Sequence, residues 1–394
     1  MTHQQIKGFI MKINFCMTKK EFIDVYQERK PVLFKKVLNS DEFSWDDANG
    51  IYNRSDVSSK DFKLAYYGIR PKGDYVETYS DIGVLRHRLI KPAVYDYLRK
   101  GGTLIANRIV NEPIVSMLAR QIGEYTDREV VSSAYVAFGE QSSFRAHWDT
   151  RDVFAVQLIG RKRWEIFEPS LEMPLYMQQS KDYEHAYPCP EKPCMDLILE
   201  PGDILYIPRG WWHNPLPLGE PTFHLAFGTF PTYAMQYLEW AMKLMPNYLS
   251  ARRSLIKWDD DEQTIKQMGE DFIKLIDNKD LYDQFIMEHM NRVRIDSPLA
   301  MEIFGNTEGK SIPRDFSLHL NTSIIYQKDS EFIISNGTRI NLDTSGGKII
   351  KCIMDNPGIS ITTLCEMHPD LLANKIDDLI NNLCREDVIS YYKK

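Results

Sequence analysis

The triplet His147-Trp148-Asp149, followed far downstream by His213 in Pro208-Arg209-Gly210-Trp211-Trp212-His213, constrains this chain more than any other feature. In a strand, residues i and i+2 share a face. His147 and Asp149 are therefore expected to point one way and Trp148 the other. A distant imidazole joining them requires a fold that returns a later strand beside the first.

One carboxylate and two imidazoles make the 2-His-1-carboxylate facial set that holds non-heme Fe(II) and leaves coordination positions open. Isolated His-x-Asp triplets are common at surfaces and helix caps, so the flanking pattern carries the weight. Residues 152–159 are rich in aromatic and β-branched types, Gly160-Arg161 supplies a turn signal, and Lys162-Arg163-Trp164-Glu165-Ile166-Phe167 returns as a strand. This predicts a hairpin. On its return strand Lys162, Trp164 and Ile166 share one face, which the Trp and Ile mark as inward. An inward Lys either meets an anion, because an unpaired buried ammonium is costly, or snorkels out of the barrel mouth. Farther on, Glu200-Pro201-Gly202-Asp203 reads as a type II turn. The strand Ile204-Leu205-Tyr206-Ile207-Pro208 then leads to His213.

Taken together, these pieces make residues from about 130 to 230 resemble a JmjC-type cupin, the family of Fe(II)/2-oxoglutarate-dependent oxygenases. Within that family the chain is most similar to the ribosomal oxygenases. The resemblance implies a mainly β core, a double-stranded β-helix of the cupin or jelly-roll kind, with a helical dimerisation region and a C-terminal winged-helix domain. It implies that His147, Asp149 and His213 bind Fe(II), with no catalytic residues beyond these ligands. Lys162, fifteen residues after the first ligand, pairs on this reading with the distal carboxylate of 2-oxoglutarate, the co-substrate beside dioxygen. Tyr135 and Ser133, on the strand Val131-Ser132-Ser133-Ala134-Tyr135-Val136, match positions that hydrogen-bond the co-substrate. His224 stands where members often have Asn beside the metal, and is expected to line the site without ligating. Phe144 stands where some members place a Thr against 2-oxoglutarate, so that contact is expected to be missing.

The chain divides coarsely into residues 1–232, the oxygenase domain; 233–310, a helical region; and 311–394, a winged-helix-like block. In the first part, residues 18–26 read as an N-capped amphipathic helix, Lys30-Pro31-Val32-Leu33-Phe34 starts a strand, and residues 103–106 form another. Asn111-Glu112-Pro113-Ile114 opens a helix to about Ile122, with Pro in its first turn. The helical region carries two apolar stripes: Tyr237, Leu238, Trp240, Ala241 and Leu244, then Phe272, Leu275, Ile276, Leu281 and Phe285. One stripe suffices to dock on the barrel; the surplus predicts a homodimer. The last block predicts strands at 322–326 and 331–334, a helix through Lys348–Met354, helices from Ser360 and from about Pro369 to Leu383, and a strand at 388–392.

A winged helix invites a DNA reading, but residues 311–394 hold nine Lys plus Arg against eleven Asp plus Glu, 9 − 11 = −2. Asp370, Asp377 and Asp378 stand near Lys375. Such a surface repels phosphates, which favours a protein-interaction role. The net charge of −7 likewise argues against a nucleic-acid partner and weakly suits a basic polypeptide substrate. Arg145, Arg151, Arg161, Arg163 and Arg209 cluster near the expected mouth, either as solvated rim residues or facing an acidic group.

The apolar patch Gly8-Phe9-Ile10-Met11 is too short and too polar in context for a signal or membrane span. Six cysteines form no disulfide framework. Cys189 and Cys194 have no second pair nearby to complete a zinc site and read as free thiols. These features place the chain in the cytoplasm, away from membranes. The expected activity is hydroxylation of a protein side chain, with a ribosomal protein as the family-level substrate. Alternatives are a natural-product peptide or free amino acid, or a cupin that binds or senses without catalysis. The intact triad together with Lys162 favours the enzyme.

Overall fold

The computed structural model describes residues 11–110, 112–140, 145–295, 297–307, 310–322 and 331–393. The chain forms two compact units, Met1–Phe230 and Pro231–Lys394.

The first unit contributes thirteen strands: β1 (Val32–Phe34), β2 (Phe62–Ala65), β3 (Val76–Asp81), β4 (Val84–Leu89), β5 (Thr103–Asn107), β6 (Glu129–Ala137), β7 (His147–Trp148), β8 (Asp152–Ile159), β9 (Lys162–Phe167), β10 (Met195–Leu199), β11 (Ile204–Ile207), β12 (Trp212–Pro217) and β13 (Thr222–Phe230). A large antiparallel sheet has the order β1-β11-β8-β13-β6-β5-β2, and a smaller one the order β10-β9-β12-β7. From β6 onward the chain switches sheet at nearly every connection, the winding expected of a cupin. Ala155, Leu205 and Ile207 of the large sheet pack with Trp164, Ile166 and Leu199 of the small one.

This topology corrects the hairpin expected at Gly160-Arg161. β8 pairs with β11 and β13, and β9 with β10 and β12, so the turn is a crossover between sheets. The strand pattern shows why. β8 lies between two neighbours and all but its last residue are buried; strands covered on both faces read as continuous apolar runs. β9 has a half-buried outer face and alternates. Gly160 is demanded by the crossover: its φ is +65°, and a Cβ there would lie 2.0 Å from the Pro221 carbonyl oxygen. The turn at Pro201-Gly202 forms as expected, with Gly202 at φ +91° and the Asp203 N–H donating to the Glu200 carbonyl at 2.9 Å.

The outer face of the large sheet is covered by two helices. Lys19–Val25 is capped by the Thr18 hydroxyl, which accepts the Glu21 N–H. Pro113–Thr126 has Pro in its first turn and runs one turn beyond the expected Ile122; Asn111 lies outside the described residues. Phe22 of the first helix is fully buried, with its ring 4.9 Å from Tyr125 and Tyr206 and 5.7 Å from Phe154. Burying such a side chain contributes roughly 1.5–3 kcal/mol.

The second unit begins with helices Ala234–Met242, Leu249–Arg252, Trp258–Ile276, Lys279–Met290 and Met301–Phe304. The two stripes meet within it: Phe285 lies 5.2 Å from Tyr237 and 5.8 Å from Trp240, and the Tyr237 hydroxyl donates to the Ile276 carbonyl at 3.0 Å. The surplus apolar surface is therefore elsewhere, on Leu255, Ile256, Trp258 and Ile273, each more than half exposed.

After these come β14 (Ser317–Leu320), β15 (Phe332–Ser335), β16 (Thr338–Asn341), β17 (Ile359–Ser360) and β18 (Ile389–Tyr392), with helices Ser345–Asp355, Ile361–Met367 and Ala373–Arg385. The sheet order is β17-β14-β18, and β15 and β16 form a hairpin. Most of the strand expected at 322–326 falls outside the described residues. The last helix starts at Ala373 rather than Pro369, which leaves Asp370 off it. Asp377 on that helix is taken by an ion pair with Arg314. Among the described residues no helix is long and apolar enough to cross a membrane.

Candidate metal centre

β7 and β12 pair antiparallel with Trp148 opposite Trp212 and His147 opposite His213. The register puts two indoles on one face and two imidazoles on the other. On the indole side the rings meet edge-on at 4.7 Å, Trp148 Nε1 donates to the Gln178 carbonyl at 3.0 Å, and Trp212 Nε1 donates to the Ser170 hydroxyl at 2.8 Å. That anchored face explains why each ligand histidine has a tryptophan beside it in the chain, Trp148 after His147 and Trp212 before His213. On the other face the imidazole centroids are 4.3 Å apart.

Asp149 lies one residue past the end of β7, yet joins the same side. Its carbonyl accepts the Gly210 N–H at 2.9 Å, stitching it to the loop that carries His213. One ligand atom from each of His147, Asp149 and His213 falls within 4.8 Å of the others. His147 Nδ1 is 3.0 Å from the Arg145 carbonyl, and His213 Nδ1 is 3.2 Å from that of Trp211. A carbonyl only accepts, so each Nδ1 carries the hydrogen and each Nε2 presents a lone pair, the arrangement that orients metal-binding imidazoles. His213 Nε2 stands 3.7 Å from Asp149 Oδ2.

The electrostatics suit a cation. Burial pushes the Asp149 carboxyl upward, but Arg151, His213 and His147 outweigh it and hold the group below the usual range. Burial, then the neighbouring His147, push His213 down to about 4, which keeps it neutral and able to ligate. The donor set of two imidazoles and one carboxylate fits Fe(II).

The three ligands open on a cavity of about 180 Å³ that is also lined by Lys162, Tyr135, His224, Trp164, Asn107 and Lys63. Lys162 is inward as expected and only 6% exposed. Among the described residues no carboxylate pairs with it, and burial lowers its pKa to about 8. His224 is buried and stacks on Tyr135 with centroids 5.0 Å apart and planes 6° from parallel. Among the described residues its Nδ1 has no hydrogen-bond partner. Burial, then nearby Lys162, push its pKa well below the ordinary value. Burial and the Asp149 carboxylate push the Tyr135 phenol up to about 12. Ser133 shares the Tyr135 face and is bonded to that phenol, but does not line the cavity. Phe144 lies outside the described residues.

The arginines resolve individually. Arg145 pairs with Glu184, Arg161 with Glu220, Arg163 with Asp196, and buried Arg209 with Glu28. The Arg151 side chain reaches the triad, 3.8 Å from Asp149. Cys189 and Cys194 are in no disulfide among the described residues.

Residues 105–237 match the JmjC domain family. The chain's sequence is 30% identical over 184 residues to the bifunctional lysine-specific demethylase and histidyl-hydroxylase NO66 of Drosophila persimilis, covering 45% of this chain and 24% of that protein. The corresponding protein of Drosophila pseudoobscura pseudoobscura is also 30% identical, with 45% and 18% covered. The matched part of the chain spans about a quarter or less of these relatives. The chain's fold is similar to YcfD, a ribosomal oxygenase from Escherichia coli, in complex with cobalt and succinic acid, at TM-score 0.57 and 16% identity over 96% of this chain and 99% of that one. The YcfD complex with cobalt and 2-oxoglutarate gives 0.56 and 17% over the same shares.

Several residues lining the cavity escaped the sequence reading: Lys63, Thr103, Ile105 and Asn107. They come from β2 and β5, and nothing local in sequence ties those strands to the triad.

Proposed function

We propose that the protein is an Fe(II)- and 2-oxoglutarate-dependent hydroxylase acting on a protein side chain, with a ribosomal protein as substrate. One observation carries the reading: a facial triad and a buried ammonium without a carboxylate share one cavity. A binding-only cupin has no use for a buried cation at such cost. A dicarboxylate supplies what Lys162 lacks, one carboxylate for the ammonium and one end for the metal.

On this reading His147, Asp149 and His213 would hold Fe(II). When bound, iron and 2-oxoglutarate supply oxidation of a C–H bond by dioxygen, coupled to decarboxylation of the co-substrate to succinate. The chain's own residues bind and orient. Lys162 holds the distal carboxylate, Tyr135 offers its O–H, and His224 offers its unpartnered Nδ1 to the same molecule. Ser133 acts through Tyr135, fixing the phenol. The stacked pair of Tyr135 and His224, with Trp164 edge-on to His224 at 5.7 Å, excludes water from the buried end.

The ribosomal substrate is supported by the fold shared with YcfD over nearly the whole chain. The same likeness supports the division into oxygenase, helical dimerisation (233–310) and winged-helix (311–394) parts, a homodimer, and a cytoplasmic place beside ribosomes. We assign the last block to protein contacts rather than nucleic acid, on its negative charge. The test is mass spectrometry of ribosomal proteins from a strain lacking this protein. One of them should lose a +16 Da modification that the wild-type gene restores and the Asp149→Ala gene does not. An unchanged set of ribosomal masses would refute the substrate.

A further inference from the structure

We propose that Lys63 binds a carboxylate of the substrate and so selects acidic sequence beside the hydroxylated residue. The inference rests on the function proposed above and starts from the sheet register. Lys63 pairs with Ile105, Ile105 with Tyr135, and Tyr135 with His224. These four residues form one row across β2, β5, β6 and β13, and all four line the cavity. The row runs from the buried His224 end, next to Lys162, past the triad, to half-buried Lys63 on the sheet's edge strand. Exposed Ile69 lies at the same end.

Charge gives the outer end its meaning. Divalent iron and Lys162 bring three positive charges; Asp149 and a dicarboxylate co-substrate bring three negative ones. These charges cancel among themselves. Lys63 is left over, and among the described residues no carboxylate pairs with it. Asp61, two residues earlier, lines a separate cavity with Arg54 and Glu112. Lys72 lies near enough to Lys63 to feel its charge, and Arg151 beside Asp149 only adds to the positive field. An anionic group is the complement that this end lacks.

Strand spacing sets the reach. Two steps of about 4.8 Å separate Tyr135 from Lys63, or about 10 Å. An extended peptide advances about 3.3 Å per residue. The carboxylate therefore belongs about three residues from the hydroxylated one, with apolar or small residues crossing Ile105 between them. An internal Asp or Glu and a free chain terminus offer the same chemistry.

The full-length protein, loaded with Mn(II) and the unreactive co-substrate analogue N-oxalylglycine, is probed with arrayed peptides of systematically varied sequence, each made with a free and an amidated C-terminus. Wild type should retain peptides enriched in Asp or Glu if the group is internal, or the free-terminus set if it is terminal. Lys63→Ala should weaken the retained peptides by about tenfold or more, the loss of one charge-assisted bond, with N-oxalylglycine affinity unchanged. Lys63→Glu should turn the preference toward Lys and Arg. Absence of any acidic preference in wild type, or its persistence in Lys63→Ala, overturns the proposal. A large loss of N-oxalylglycine affinity in Lys63→Ala also overturns it, because Lys63 would then serve the co-substrate. Failure of wild type to bind N-oxalylglycine refutes instead the function on which the charge count rests.

Discussion

Replacing Lys162 with Met should make the ligand-free protein more stable and its co-substrate site useless. The Lys162 ammonium is buried, and burial lowers its pKa from the ordinary 10.5 to about 8. At 1.36 kcal/mol per unit, the folded state gives up about 3 kcal/mol to keep this lysine charged. The sign follows from linkage. Between pH 8 and 10.5 the unfolded chain holds a proton here that the folded chain has released, so stability rises with pH across that window. Below about pH 8 the full penalty is present. Met has similar length and no charge, so Lys162→Met should gain up to about 3 kcal/mol at pH 7 and lose the pH-dependent rise. The same change should weaken 2-oxoglutarate by about 3–5 kcal/mol, the cost of breaking a buried pair. Urea unfolding of ligand-free protein at pH 7, 8, 9 and 10 measures the first effect. Titration of the Mn(II) protein with 2-oxoglutarate, followed by tryptophan fluorescence, measures the second, since Trp164 lines the cavity. If the Met variant is no more stable at pH 7 and binds 2-oxoglutarate as wild type does, Lys162 is not the buried cation described here and another residue holds the co-substrate.

Three further outcomes are expected. Asp152→Ala should cost about 3–5 kcal/mol in urea unfolding, because fully buried Asp152 takes an ion pair from buried Arg128 at 2.7 Å and a hydrogen bond from Tyr206; a loss under 1 kcal/mol would show that Glu28 alone satisfies Arg128. Gly160→Ala should destabilise by at least about 1–3 kcal/mol, since its φ is positive and the added Cβ meets the Pro221 carbonyl; a wild-type urea midpoint would contradict the crossover geometry. Light scattering at micromolar concentration should give twice the 46.0 kDa chain mass, and substitution of exposed Ile256 and Trp258 by charged residues should return it to a monomer; a wild-type monomer would remove the dimer.

The triad was legible in the sequence because its geometry is local. A two-residue spacing fixes the side of His147 and Asp149, and a tryptophan next to each histidine, Trp148 and Trp212, marks the opposite face. Lys162 was legible for the same reason: Trp164 and Ile166 declare its direction. The hairpin at Gly160 was misread because turn residues specify the bend and not the partner. Only the all-buried run of β8 against the alternation of β9 hints that they belong to different sheets. Lys63 and Asn107 were invisible because β5 reaches the cavity through pairing with β6 and β2 through pairing with β5, and that register appears only when the sheet is assembled. The helical stripes were seen, but their mutual packing was not, since periodicity gives a face and leaves its partner open.

The most direct test of the central claim is succinate formation from 2-oxoglutarate by the purified full-length protein with Fe(II), dioxygen and a ribosomal protein extract. Wild type should form succinate in step with a +16 Da product. Asp149→Ala, which removes the one anionic ligand from a site that needs all three for its geometry, should form neither. Succinate formation in Asp149→Ala equal to wild type, or none in wild type carrying iron, would contradict the account.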